Sequence, residues 1–146
     1  MIIEVDKTTL PEAARIHSLS WKESHRSFCT PAFVELHSPS RQEEYLGRKL
    51  ANGNRIFMLV EEEPIGIVSV NDSVIEDLYV LPDKQNSGFG IKLLRYAMTQ
   101  CTGVPSLWIL ENNTAAERLY RRIGFRATGR RKTITNGLDE IEYAMI

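Results

Sequence analysis

Apolar and polar positions along the chain fall into short blocks whose period changes from helical to strand-like and back. Ile2, Ile3 and Val5 predict a brief first strand. Ala13, Ile16, Leu19 and Trp21 recur at helical spacing behind Thr9, Pro11 and Glu12, which read as a capping box with proline in the first turn. A loop-rich stretch follows through Cys29, Pro31 and Pro39. Ser40 and Glu43 then form a second capping box, opening a helix with Tyr45, Leu46 and Leu50 that Asn52-Gly53-Asn54 ends. Residues 55–61, 65–70 and 73–81 are three strand-like runs joined by short turns, which implies an antiparallel meander. Beyond a polar, glycine-containing loop at 82–90, residues 91–100 return to helical period, with Leu93, Leu94, Ala97 and Met98 as core positions. An apolar strand at 106–110, a helix at 114–122 closed by Gly124, and a hairpin of 125–135 with 138–145 around Asn136-Gly137 complete the chain. The reading is α/β: one domain over residues 1–146, a mixed central sheet of about seven strands, and helices on both faces.

Composition narrows the function classes. The 146 residues suit one domain, and 42% apolar with 25% charged residues is ordinary for a globular protein. A formal net charge of -1 argues against nucleic acid as a partner. The one dense basic run, Arg130-Arg131-Lys132, reads as a solvated strand face. The start of the chain has no basic segment followed by a cleavable apolar stretch, and the apolar runs fall short of the ~18 residues that span a bilayer, so a cytoplasmic location without membrane contact is expected. Cys29 and Cys101 are isolated. His25 and Cys29 stand four apart, but no second ligand pair follows, so no metal is expected, and no orienting group marks Cys29 as a nucleophile.

The chemistry concentrates in two segments. In the first, the strand ending Leu78-Tyr79-Val80 runs into Gln85-Asn86-Ser87-Gly88-Phe89-Gly90 and then a helix. Gly88 and Gly90 permit positive φ and close approach, and the amides at a helix start with the helix dipole behind them suit a pyrophosphate. Two glycines alone serve equally as helix punctuation. A dinucleotide fingerprint would need a third glycine where Leu93 stands, and the Gly-Lys-Ser/Thr of a P-loop is absent. In the second segment, Asn113 reads as a helix cap and Tyr120, two turns on, shares its face. Read alone, Tyr120 is as well a half-buried core aromatic.

Gln85-x-x-Gly88-x-Gly90, preceded by Val80-x-Pro82, resembles the Arg/Gln-x-x-Gly-x-Gly/Ala signature of GNAT acetyltransferases. The string Asn113, Ala116, Tyr120, Gly124-Phe125 is similar to that family's second coenzyme-binding region, and the spacing and strand order agree over essentially the whole chain. The resemblance implies acetyl-CoA as co-substrate, without a metal. It implies that the backbones of Leu78 and Val80 pair with the pantetheine arm, that the amides of Gln85, Asn86, Ser87, Gly88, Phe89 and Gly90 hold the pyrophosphate, and that Asn113 and Ala116 lie along the coenzyme. Tyr120 would donate a proton to the departing thiolate.

An alkyl amine has a pKa near ~10, so it arrives protonated and needs a proton acceptor. Glu76 is the candidate. On a regular strand it alternates with Leu78 and Val80 and shares their face, and Ile75-Glu76-Asp77-Leu78-Tyr79-Val80 resembles the strand of polyamine acetyltransferases whose glutamate has that role. Trp108 stands where ribosomal-protein N-terminal acetyltransferases of this fold keep a glutamate, which lowers the case for a protein N-terminus. The expected activity is acetyl transfer to a primary amine of a small molecule. A protein or peptide amine and a non-catalytic acyl-CoA-binding module are the alternatives. Trp21, His25, Arg26 and Phe28 are the expected acceptor walls, and the run Leu138 to Ile146 is expected to offer an edge for a homodimer.

Overall fold

The structure, a computed structural model, describes residues 1–27, 29–135 and 137–146. In chain order the elements are β1 (Ile2–Glu4), α1 (Leu10–His25), α2 (Pro31–Glu35), α3 (Pro39–Ala51), β2 (Arg55–Val60), β3 (Pro64–Asn71), β4 (Val74–Val80), a 3-10 turn (Pro82–Lys84), α4 (Phe89–Gln100), β5 (Ser106–Leu110), α5 (Thr114–Ile123), β6 (Arg126–Thr135) and β7 (Leu138–Ala144). They build one seven-stranded mixed sheet in the order β1-β2-β3-β4-β5-β7-β6, parallel only between β4 and β5. The α/β architecture expected from the pattern is therefore present. No helix among the described residues is long and apolar enough to cross a membrane.

Each sheet face buries its own core. Ala13, Ala14 and Ile16 of α1 and Leu46 of α3 pack on Ile56, Met58 and Ile67. On the opposite face Leu93, Leu94 and Ala97 of α4 pack on Phe57, Leu59, Val68, Leu107 and Phe125, with Ala116, Tyr120 and Ile123 of α5 alongside. Complete burial of a leucine-sized side chain contributes roughly 1.5–3 kcal/mol, so these two layers hold the helices against the sheet.

Several local expectations change. Leu19 is 44% exposed, and the buried positions beside it are Ser18 and Ser20, whose hydroxyls donate to the His37 and Val80 carbonyls. Thr9 does not cap α1 through its side chain; its hydroxyl accepts from the Asp6 amide. α3 opens one residue after Ser38, which accepts from the Arg41 amide at 3.3 Å, so Ser38 rather than Ser40 is the cap. The stretch read as loop contains α2, capped by Thr30. β7 lies between β5 and β6 and has both edges paired, so Leu138 to Ala144 offers no free edge for the expected homodimer. The outer strand is β6, exposed along most of its length and carrying Arg126, Arg130, Arg131 and Lys132, a charge density that opposes edge-to-edge pairing.

The change that matters most lies in β4. Ser69 pairs with Glu76, whereas Ile67 pairs with Tyr79, so β4 spends three residues where β3 spends two. The extra residue is accommodated at Asp77, whose φ is 52°. This bulge reverses the alternation. Glu76 and Asp77 both turn toward α3, where Lys49 meets them, while Leu78 and Val80 pack into the α4 core. The expectation that Glu76 shares a face with Leu78 and Val80 is thus corrected: strict two-residue alternation ends at the bulge.

Candidate functional site

β4 and β5 pair through a single position, Val74 with Ser106, and then diverge. The Leu81 amide donates to the Ile65 carbonyl at 2.9 Å, so strand alternation aims the peptide groups of Val80 away from β3 and into the gap. The Val80 carbonyl is already taken: Ser20 Oγ and Gln85 Nε2 each donate to it at 3.1 Å. Its amide is the group left for a ligand, and the Gln85 side chain is a strut rather than a ligand contact.

At the wide end of the gap the chain turns through positive φ at Asn86 (65°) and Gly88 (83°). Gly88 is the N-cap of α4, and no side chain caps that end. The first-turn amides therefore project toward solvent with the helix dipole behind them, a ready anion site. A Cβ at Gly88 would meet nothing within 4 Å, and one at Gly90 would meet only Val80 Cγ2 at 3.8 Å. Nothing within the protein demands a missing side chain at Gly90, which fits close approach of a phosphate-bearing ligand to Gly88, Phe89 and Gly90.

α5 lies across the same face. Asn113 caps it, its Oδ1 accepting from the Ala116 amide at 3.2 Å, so the capping role is filled and the side-chain amide NH2 remains. Tyr120 packs edge-on to Phe125 with ring centroids 5.9 Å apart, and burial pushes its phenol up to about 12.

On the opposite face a cavity of about 400 Å³ opens between α1, α2 and α3. Trp21, Phe33, Leu36 and His37 wall it, Arg41 and Arg48 stand on its α3 side, and His17, Tyr45, Asp77 and Tyr79 line it from β4 and the adjoining helices. Trp21 lies between two imidazoles, stacked on His25 at 3.9 Å and on His37 at 3.4 Å. Of the expected acceptor walls, Trp21 lines this cavity and His25 backs it. Arg26 pairs with Glu23 at 3.2 Å and lines a different cleft, near Pro82 and Asp83. Phe28 lies outside the described residues.

Beneath the cavity lies a polar network that the sequence reading missed. Asp77 accepts from Lys49 Nζ at 2.5 Å, from Ser69 Oγ at 2.8 Å and from Tyr45 Oη at 3.2 Å, and lies 3.2 Å from His17 Nε2. Burial disfavours its ionisation, but the His17 hydrogen bond and the Lys49 charge outweigh that and hold the carboxyl below its usual range. Lys49 also reaches Glu76 Oε1 at 3.0 Å. His17 is 2% exposed, and its other nitrogen faces Gln42 Nε2 at 2.6 Å, so both ring nitrogens are engaged. Burial also pushes the Tyr79 phenol far up, reinforced by Asp77, Tyr45, Tyr120 and Glu140. Tyr79 is thus within electrostatic reach of the cavity on one face and Tyr120 on the other. The one available signal was positional: Arg41, Tyr45 and Arg48 sit at i, i+4 and i+7, one helix face.

The two halves of the gap are consistent with what the chain resembles. The profile of the acetyltransferase (GNAT) domain matches residues 52–127. A peptidyl-lysine N-acetyltransferase, YjaB of Salmonella typhimurium, is 31% identical over 70 residues, 48% of either chain, so the match spans about half the length of that relative. In fold, the chain is similar to apo YjaB of Escherichia coli (TM-score 0.74, 18% identity, covering 100% of this chain and 97% of that one). It is also similar to PaiA N-acetyltransferase of Thermoplasma acidophilum in complex with coenzyme A (TM-score 0.71, 16% identity, covering 99% of each chain).

Proposed function

The chain belongs to the GNAT acetyltransferase family, and from that premise we propose that it transfers acetyl from acetyl-CoA directly to a primary amine of a small molecule. One observation carries the reading. The uncapped start of α4 and Tyr120 lie on one face of the sheet, and the cavity lined by Asp77 and Tyr79 of β4 opens on the other.

Bound acetyl-CoA would supply the acetyl thioester as electrophile. The amides of residues 86–90 hold its pyrophosphate, and the Val80 amide pairs with the pantetheine arm. Leu78, Gln85 and Ala116 shape the channel, and Asn113 keeps its side-chain NH2 for the coenzyme.

The acceptor ammonium, pKa near ~10, must lose a proton before its nitrogen attacks the carbonyl. Glu76 takes it through water. It is the more exposed of the paired carboxylates, at 40% against 9% for Asp77. Asp77 is a poor base because its ionised form is already satisfied, and His17 has no ring nitrogen to spare. Both are positioning residues. Tyr120, raised to about 12, stays protonated at neutral pH and donates a hydrogen bond that stabilises the departing thiolate; net transfer to a thiolate whose conjugate acid resembles cysteine at about 8.5 would run uphill, so the coenzyme thiol takes its proton from solvent.

A peptidyl-lysine acceptor is the second reading, favoured by the activity of the Salmonella relative. Release of free thiol from acetyl-CoA across a panel of amino acids, polyamines, aminoglycosides and lysine peptides tests all of this. Turnover of lysine peptides alone would move the acceptor class to protein. Silence across the whole panel, with acetyl-CoA still bound, would leave a binding module.

A further inference from the structure

We infer that the acceptor is a small amine that also carries an anionic group, most simply the carboxylate of an amino acid, held by Arg41 and Arg48. This deepens the acetyl-transfer reading and rests on it. Arg41 and Arg48 stand two helical turns apart on α3 with Tyr45 between them, and all three line the cavity. Both arginines are exposed, and among the described residues neither guanidinium has an ion-pair or hydrogen-bond partner.

The lining's one acid, Asp77, is committed elsewhere, and Glu44, exposed on α3 between the two arginines, is not part of the lining. Asp77 is neutralised by Lys49, Glu76 meets the same lysine at 3.0 Å, and Glu140 pairs with Lys132 at 3.5 Å. His37 adds a further titratable base to the cavity wall; burial depresses its basicity and the Arg41 charge lowers it further. The cavity therefore offers two uncompensated guanidiniums and no uncompensated carboxylate in its lining. Guanidinium forks match carboxylate geometry. A polyamine would instead bring a second ammonium against them. The volume of about 400 Å³ suits a metabolite-sized molecule, and Trp21 and Phe33 offer apolar cover for its middle.

The test uses matched acceptors, amino acids and their primary amides, with an acidic lysine peptide and a polyamine as further arms. Turnover is read as thiol release and binding by calorimetry, for the native chain and R41Q/R48Q. A charge-assisted hydrogen bond is worth enough that the acid-to-amide ratio of kcat/KM should lie between roughly ten and a hundred. In R41Q/R48Q that ratio should fall toward one. Equal handling of acid and amide by the native chain would overturn the inference while leaving acetyl transfer standing. So would preference for the polyamine or the peptide. Arginine-dependent binding of the amino acid without thiol release from any amine would keep the anion site and overturn the transferase reading instead.

Discussion

Glu76 and Asp77, neighbours in sequence, place both carboxylates on one side of the sheet, where a single ammonium, Lys49 Nζ, meets them at 3.0 Å and 2.5 Å. On a regular strand adjacent side chains point to opposite faces, so the arrangement exists because Asp77 takes a positive φ. Its local cost is about 1–2 kcal/mol, less for aspartate than for most residues.

The pair makes stability depend on acid. Asp77 is ionised in the folded state with a pKa held below that of the unfolded chain. Its contribution is therefore complete above about pH 4, the unfolded value, and is lost as pH falls through the folded one. Melting temperature followed by circular dichroism from pH 7 downward should begin to drop near pH 4 and keep dropping to the acid end of the scan. Lys49→Met, which leaves a buried carboxylate unpaired, should cost on the order of 3–5 kcal/mol, and Lys49→Met with Asp77→Asn should recover part of it.

Gly88→Val should abolish acetyl-CoA binding while the chain remains folded. The site around Gly88 is open, so nothing internal clashes. The φ of 83° opposes a β-branched residue, and the side chain projects where the phosphates would lie. Calorimetry giving native affinity would remove the anion site from this loop.

Tyr120→Phe should lower kcat by on the order of 10²-fold at nearly unchanged acetyl-CoA affinity, the usual range for removing one hydrogen-bond donor to a developing negative charge. Glu76→Gln should lower the rate chiefly at acidic pH, where the amine is most protonated, and raising pH should rescue it in part. The same rise in pH should not rescue Tyr120→Phe. A flat pH response of Glu76→Gln would reduce Glu76 to the partner of Lys49.

Asn113→Ala should cost about 1 kcal/mol by uncapping α5, and Asn113→Asp should restore that stability because the oxygen is what caps. If the remaining NH2 contacts the coenzyme, Asn113→Asp should still weaken acetyl-CoA binding. Equal affinity for both variants and the native chain would confine Asn113 to capping.

Element order and both helix-bearing faces were legible because glycine, proline and asparagine punctuate this chain at nearly every boundary. Gly88 as the turn into α4 and Asn113 as the cap of α5 were legible from residue type and position. Asp77 was not. A bulge held by a non-glycine residue leaves no mark in a two-residue pattern, and its cause is tertiary: Lys49, Ser69 and His17 converge on one carboxylate. Leu19 misled because hydrophobicity outranked the serines beside it, whose burial comes from hydrogen bonds to the His37 and Val80 carbonyls. Arg41 and Arg48 belong to no motif, and only the packing of α3 against α1 and α2 sets them beside the cavity.

The backbone ladder of the sheet is thinnest between β1 to β4 and β5-β7-β6, where Val74 and Ser106 form the one paired position and the α4-side core carries the rest of the connection. A ligand whose amide-bearing arm lies along β4 would act as a wedge that locks the angle between the two groups of strands. Amide hydrogen exchange should then slow along the facing edges of both groups on binding, including at residues the ligand never touches.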